Sequence, residues 1–121
     1  MLVAENTEKQ PGTASDVAHQ TLAFLVAQRV DEEWELENIV VAKNSRRQGL
    51  GTRLLNELID HVRVDRGRSI FLEVRDSNRA ARSLYCKLGF VKTGTRKSYY
   101  SNPREDAILY QLSLSHNEIA P

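Results

Sequence analysis

The sequence predicts a single α/β domain, and three observations carry that expectation. An apolar, strand-like run, Ile39-Val40-Val41, passes through a turn with two glycines, Gly49 and Gly51, into a strongly amphipathic helix. Strand-like and helical patterns then alternate along the rest of the chain, giving the order β-β-α-β-α-β-β. At 121 residues and 40% hydrophobic content the chain can build one core of two or three layers, and a second domain is not expected.

The elements follow in order. Leu2-Val3-Ala4-Glu5 reads as a short strand, and Asn6 to Gln20 is polar and carries Pro11-Gly12, the composition of a loop. Residues 1–20 are therefore expected to be a short, partly flexible N-terminal segment, 21–114 the folded domain and 115–121 a C-terminal tail. Thr21 to Val30 and Trp34 to Ala42 are strand-like runs separated by Asp31-Glu32-Glu33, which predicts an antiparallel hairpin. From Leu50, the residues Leu54, Leu55, Leu58, Ile59 and Val62 recur at helical spacing, with Arg53, Asn56, Glu57, Asp60 and Arg63 on the opposite side. Gly67 is read as the stop of that helix, and Ser69 to Val74 as a buried strand. Asp76, Ser77 and Asn78 are helix-start residues, after which Ala81, Leu84, Tyr85 and Leu88 form an apolar stripe that ends at Gly89. Phe90-Val91-Lys92 opens another strand, Ser98 to Glu105 reads as a loop and Ala107 to Leu114 as the last strand.

Composition excludes several function classes. With 17 Lys and Arg against 16 Asp and Glu the net charge is +1, so no general attraction to nucleic acid or to a membrane is encoded. The lone Cys86 rules out an internal disulfide and a cysteine-rich zinc site. His19, His61 and His116 lie far apart with no partner ligand at metal spacing, so no metal is expected. No run is long and apolar enough to span a bilayer, and Met1 does not begin a signal-peptide pattern, which together predict a cytoplasmic protein.

The chemistry concentrates at Arg46-Arg47-Gln48-Gly49-Leu50-Gly51-Thr52. Glycines permit a tight turn with exposed backbone N–H groups, and the helix that follows adds the positive end of its dipole, so a pyrophosphate fits there. A Walker loop fails on spacing. A dinucleotide fingerprint fails as well, because its third glycine would fall where this chain has Leu54. A plain glycine turn is the competing reading of the same residues.

With these elements in place the chain resembles the GNAT superfamily of acetyl-CoA-dependent N-acetyltransferases over residues 21–114. The superfamily pattern [RQ]-x-x-G-x-[GA] is met by Arg46 to Gly51, a strand followed by Asn by LEVRDSN ending at Asn78, and the third motif by AARSLYCKLGF ending at Phe90. Within the superfamily, LEVRDSN, LYCKLGF and RKSYYSNPREDAILYQL are similar to the RimI-like group, which acetylates the N-terminal alanine of a small-subunit ribosomal protein. The resemblance implies a mixed central sheet with helices on both faces, acetyl-CoA as co-substrate, and a protein N-terminus, a ribosomal one in that group, as acceptor.

It also implies site residues. The phosphates of CoA would rest on Arg46, Arg47, Gln48, Gly49, Leu50, Gly51 and Thr52. A main-chain N–H near Val40 or Val41 would polarise the thioester carbonyl. An α-amine of pKa about 8 must lose a proton before it attacks, and Glu73 is implied as the base. Read without the resemblance, Glu73 is more readily an ordinary carboxylate on the exposed face of a half-buried strand than a base. A phenol stays protonated at neutral pH and can supply a proton to the CoA thiolate, the role implied for Tyr85, which also fits core packing. Asn78 is either a pantetheine contact or an N-cap, and Arg82 and Arg53 are candidate phosphate contacts or solvated charges. Asn38, Tyr99 and Tyr100 are implied at the acceptor, with packing as the alternative for the two aromatics.

The chain departs from the superfamily before Thr21, where a first strand and two helices usually form one wall of the acceptor groove. The expectations drawn from that departure are an N-terminally shortened fold, an exposed apolar patch on the hairpin and on the helix that starts at Leu50, and a homodimer that covers it. A GNAT domain acting on a small amine or a lysine side chain, and one that binds acetyl-CoA without catalysis, remain as alternatives.

Overall fold

A computed structural model describes residues 2–5, 23–42 and 49–114. In chain order the elements are β1 (Leu2–Glu5), β2 (Ala23–Val30), β3 (Glu33–Val41), α1 (Leu50–Val64), β4 (Ser69–Arg75), α2 (Arg79–Lys87), β5 (Val91–Tyr100) and β6 (Glu105–Ser113). They form one six-stranded sheet in the order β1-β2-β3-β4-β6-β5. All pairs are antiparallel except β3 with β4, which run parallel. The β2–β3 hairpin turns at Asp31, which takes φ 58, a left-handed conformation that Asp tolerates better than most residues.

One face of the sheet builds the core. Leu25, Trp34, Leu36, Ile70, Leu72 and Tyr110 are buried, and the apolar stripe of α1 (Leu50, Leu54, Leu55, Leu58, Ile59, Val62) closes over them. Tyr85, the one buried residue of α2, joins the same cluster with Ala81, Leu84 and Leu88 partly buried beside it. Both helices thus pack on one face, and among the described residues no helix lies on the other. The α1 stripe leaves no exposed patch, contrary to expectation, because all six of its apolar residues are buried in the core shared with the sheet and α2. Val64, 85% exposed, lies beyond that stripe at the end of the helix.

Two local readings of the sequence change. Gly67 does not supply the left-handed residue that ends α1: Arg66 does, at φ 61, while the Gly67 N–H closes onto the Val62 carbonyl at 2.8 Å. Gly67 is required by space, since an added Cβ would stand 2.5 Å from Val62 Cγ1 and 2.9 Å from Trp34 Cδ1. Gly67→Ala is expected to cost about 1–3 kcal/mol through overpacking, read from urea unfolding; an unchanged midpoint would mean that Val62 and Trp34 move aside freely.

The second change is in β5, which runs on to Tyr100 through residues read as a loop. Ser98 sits at φ 50 and its N–H donates to Asp106 Oδ1 at 2.8 Å, while Lys97 Nζ lies 3.6 Å from Asp106 Oδ2. The irregular stretch between Arg96 and Tyr100 is therefore a bulge held by a side chain of the neighbouring strand. At its end Tyr99 stays exposed while Tyr100 is half-buried.

Candidate active site

The site arises where two parallel strands separate. β3 and β4 pair only through Glu33↔Ser69, Trp34↔Ile70 and Glu35↔Phe71; beyond these the strands splay. On β3 the splay coincides with a bulge: Val26 pairs with Asn38 and Ala27 with Leu36, so Glu37 is the extra residue. Where the two strands part, the end of β3 lines the gap between them.

Two cavities occupy that gap. The larger, about 690 Å³, is lined by Ile39, Val40 and Val41 of β3, by Gly49 to Thr52 at the start of α1, and by Asn78, Ala81, Leu84 and Tyr85. The smaller, about 300 Å³, is lined by Asn38 and Glu37 at the bulge, Glu73 and Arg75 of β4, Asn78, Tyr85 and Tyr100. Ile39, Asn78, Ala81 and Tyr85 belong to both. The cavities thus adjoin at these four residues and form two ends of one passage.

The glycine end is shaped by two different requirements. Gly49 takes φ 75 at the cap of α1 with no side-chain cap, and its carbonyl accepts the Arg53 N–H at 3.0 Å. A Cβ there meets no atom within 4 Å, so backbone conformation alone demands glycine. At Gly51 a Cβ would come 3.2 Å from Leu84 Cδ2, so this glycine also lets α1 and α2 approach, a packing role the sequence did not reveal. Arg46, Arg47 and Gln48 lie outside the described residues.

Glu73 and Tyr85 approach the passage from opposite sides. Glu73 stands on the face of β4 away from the core, its side chain 25% exposed, with Arg96 Nε 3.3 Å from Oε1. Tyr85 is buried against Phe90 and Tyr110, with ring centroids 5.6 and 6.1 Å away. Burial first, and the nearby Tyr100 second, push its phenol up to about 12. It is therefore protonated throughout the neutral range. Because this pKa is raised above the unfolded value near 10, the associated stability is complete below that pH and is lost as pH rises towards 12. Tyr85→Phe is expected to remove that part of the alkaline decline, checked by thermal midpoints between pH 9 and 12; identical slopes in both proteins would contradict it.

Asn78 is an N-cap, with Oδ1 accepting the Ala81 N–H at 3.2 Å, and it also lines both cavities, so the two readings of this residue are compatible. Arg82 is committed inward: it donates to Asp76 Oδ1 at 2.7 Å, to the Asp76 carbonyl at 3.0 Å and to the Tyr110 hydroxyl at 3.1 Å. That leaves little of it for a phosphate. Arg53 is exposed on α1. Tyr99 is 51% exposed and stacks edge-on with Tyr100 at 5.2 Å, whereas Tyr100 lines the smaller cavity.

Sequence reasoning missed Arg75, Arg96 and Glu105, which surround this end of the passage. Their signal lies in strand register: Arg75 and Arg96 both stand opposite Ala107, one small residue that leaves room for two long side chains, and Glu105 stands opposite Tyr100. Among the described residues no helix is long and apolar enough to cross a membrane.

Comparison with known proteins places this geometry in context. The acetyltransferase (GNAT) family model matches residues 9–90. The [ribosomal protein bS18]-alanine N-acetyltransferase of Escherichia coli strain K12 is 44% identical over 95 residues, which is 77% of this chain. The chain covers 64% of that relative's length, somewhat under two thirds. Among solved structures, the ribosomal-protein-S18-alanine N-acetyltransferase from Escherichia coli superposes with a TM-score of 0.75 at 38% identity, covering 89% of this chain and 70% of that one. A GNAT family acetyltransferase from Elizabethkingia anophelis with acetyl-CoA bound superposes with a TM-score of 0.72 at 26% identity, covering 82% and 72%.

Proposed function

This chain belongs to the GNAT family of acetyltransferases, and from that premise we propose that it transfers acetyl from acetyl-CoA to the N-terminal α-amine of a protein that begins with alanine, a ribosomal protein by analogy with its relatives. The observation that carries the proposal is the passage between the splayed strands. It has a glycine-lined end at a helix N-terminus, a carboxylate end, and a protonated phenol where the two meet. Among its relatives are bS18-alanine N-acetyltransferases, and a solved neighbour holds acetyl-CoA.

In this reading the pyrophosphate sits on the backbone from Gly49 to Thr52 and the helix dipole of α1, with Arg46, Arg47 and Gln48 contributing from the preceding segment. The pantetheine arm lies along Val40 and Val41 and past Asn78, and the thioester carbonyl is polarised by a main-chain N–H of β3. The acceptor enters beside Asn38, Tyr99 and Tyr100. Glu73 takes the proton of the ammonium, directly or through water, and the neutral amine attacks the thioester carbon. As the tetrahedral intermediate collapses, the C–S bond breaks and Tyr85 gives its proton to the leaving thiolate. The amide and free CoA result. The reaction is proposed as cytoplasmic, a compartment that keeps Cys86 reduced. A homodimer over the half-buried face of Phe24, Val26 and Phe71 is proposed for the assembly, and light scattering showing a dilution-independent monomer would contradict it.

Two experiments bear on this reading. Saturation with CoA at a hundredfold excess over its dissociation constant is expected to stabilise the protein by about 2.7 kcal/mol, and Gly49→Val is expected to abolish that shift through backbone strain. An unmoved wild-type midpoint at millimolar CoA would remove the cofactor from the account. Thiol release from acetyl-CoA, compared among an alanine-initiated peptide, an N-blocked peptide with one lysine and a polyamine, tests the acceptor. The alanine peptide is expected to turn over fastest; preference for lysine or polyamine would favour the small-amine or lysine reading, and no release with any acceptor would leave only cofactor binding.

A further inference from the structure

A closed circuit of contacts frames the smaller cavity. It leaves β4 at Glu73, passes to Arg96 at 3.3 Å, and from Arg96 to the face of Tyr99, whose ring centroid is 5.3 Å from the guanidinium carbon. Tyr99 meets Tyr100 edge-on at 5.2 Å, and Tyr100 lies 4.4 Å from the guanidinium carbon of Arg75. Arg75 is two residues after Glu73 on the same face of β4, which closes the circuit.

Arg75 does more than stack. Nη1 lies 3.3 Å from Glu105 Oε2 and donates at 3.3 Å to the Pro103 carbonyl, while Nη2 donates to the Ser101 carbonyl at 3.5 Å. The other oxygen of Glu105 accepts the Ser77 N–H at 2.6 Å, one residue before the Asn78 cap. Hydrogen bonds from Ser77, with Arg75 beside them, hold the Glu105 carboxyl below the usual carboxylate range, so it is ionised at neutral pH. One ion pair therefore fastens the end of β4, the turn before α2 and the β5–β6 turn together.

We propose that Arg75 and Glu105 are positioning residues that hold Tyr100 against the acceptor pocket at a fixed distance from the cap of α2. The proposal rests on the reading of the smaller cavity as the acceptor site. The pair lies outside the apolar core, with side chains 35% and 16% exposed, and partly exposed pairs contribute little to global stability. Its effect is on the placement of a loop. Arginine suits the task where lysine does not, because a planar fork can bond Glu105 and two carbonyls while its face rests on an aromatic ring.

The test uses the whole chain labelled with fluorotyrosine, the Tyr100 fluorine signal being assigned with Tyr100→Phe. In Arg75→Met that signal is expected to move and broaden, and the KM for an alanine-initiated peptide to rise about tenfold with kcat and the CoA dissociation constant nearly unchanged. Arg75→Lys is expected to recover part of the KM, and Glu105→Gln, which keeps an acceptor for Ser77, to resemble Arg75→Met in milder form. An unmoved fluorine signal, or an unchanged peptide KM, would overturn the proposal. So would parallel losses in CoA affinity and thermal midpoint, which mark a purely structural pair. If wild-type protein acetylates no α-amine, the functional reading fails, and the fluorine signal alone still decides whether the pair places Tyr100.

Discussion

Replacing Glu73 by Gln is expected to lower acetyl transfer roughly 10²-fold or more while CoA still binds. Gln keeps the shape of the side chain and an oxygen for Arg96 Nε, which lies 3.3 Å from the native carboxylate, so the acceptor end of the passage should keep its form. What it loses is the capacity to take a proton from an ammonium that is mostly charged at neutral pH. Steady-state rates with saturating acceptor, beside a CoA titration of the same variant, separate the two effects. Near-normal turnover would shift the proton transfer to another group. Glu37 is then the next carboxylate, because it lines the same cavity at the β3 bulge, whereas Glu35 does not line it.

The largest expected effect on stability belongs to Leu58→Ala. Leu58 is fully buried where α1 crosses the sheet, among side chains that are themselves buried in the core. Loss of the isobutyl group removes its transfer free energy and leaves a cavity that Leu54, Leu55 and Val62 cannot close without moving the helix. The cost should be about 2–5 kcal/mol by urea or thermal unfolding. A cost below 1 kcal/mol would mean that α1 is held by fewer contacts than its burial implies.

Most of the fold could be read from local patterns because those patterns record burial directly. The stripe Leu54, Leu55, Leu58, Ile59 and Val62 is buried without exception, and the Asp76-Ser77-Asn78 start and Gly89 stop of α2 lie where composition puts them, with Gly89 at φ 99. Gly67 and Gly51 were legible as glycines but not in their reasons. Spatial crowding by Trp34 and Leu84, residues distant in sequence, decides both. Ser98 to Glu105 reads as a loop because it carries Asn102-Pro103, and the Asp106 side chain that holds the bulge at Ser98 lies on the next strand.

The site divides along the same line. Gly49 to Thr52 and Asn78 stand out by residue type, whereas Glu73 and Tyr85 stand out only through the family resemblance, and all of them line the two cavities. Arg75, Arg96 and Glu105 do not stand out, since an arginine or glutamate on a strand is usually a solvated charge. Only strand register, with Glu73 opposite Leu109 and Arg75 opposite Ala107, brings them around Tyr100. The shared boundary of the two cavities was equally hidden. It depends on how far β3 and β4 pair before they part, which three paired positions determine.

The central claim is that acetyl passes through this gap from CoA to an α-amine, and the position of the transferred group tests it most directly. A peptide that begins with alanine and carries one internal lysine is incubated with the protein and acetyl-CoA, and the product is mapped by tandem mass spectrometry. Acetyl on the N-terminal nitrogen, abolished in Glu73→Gln and absent when the peptide is N-blocked, is the predicted result. Acetyl on the lysine, or an unmodified peptide in the presence of protein that binds CoA, would contradict it.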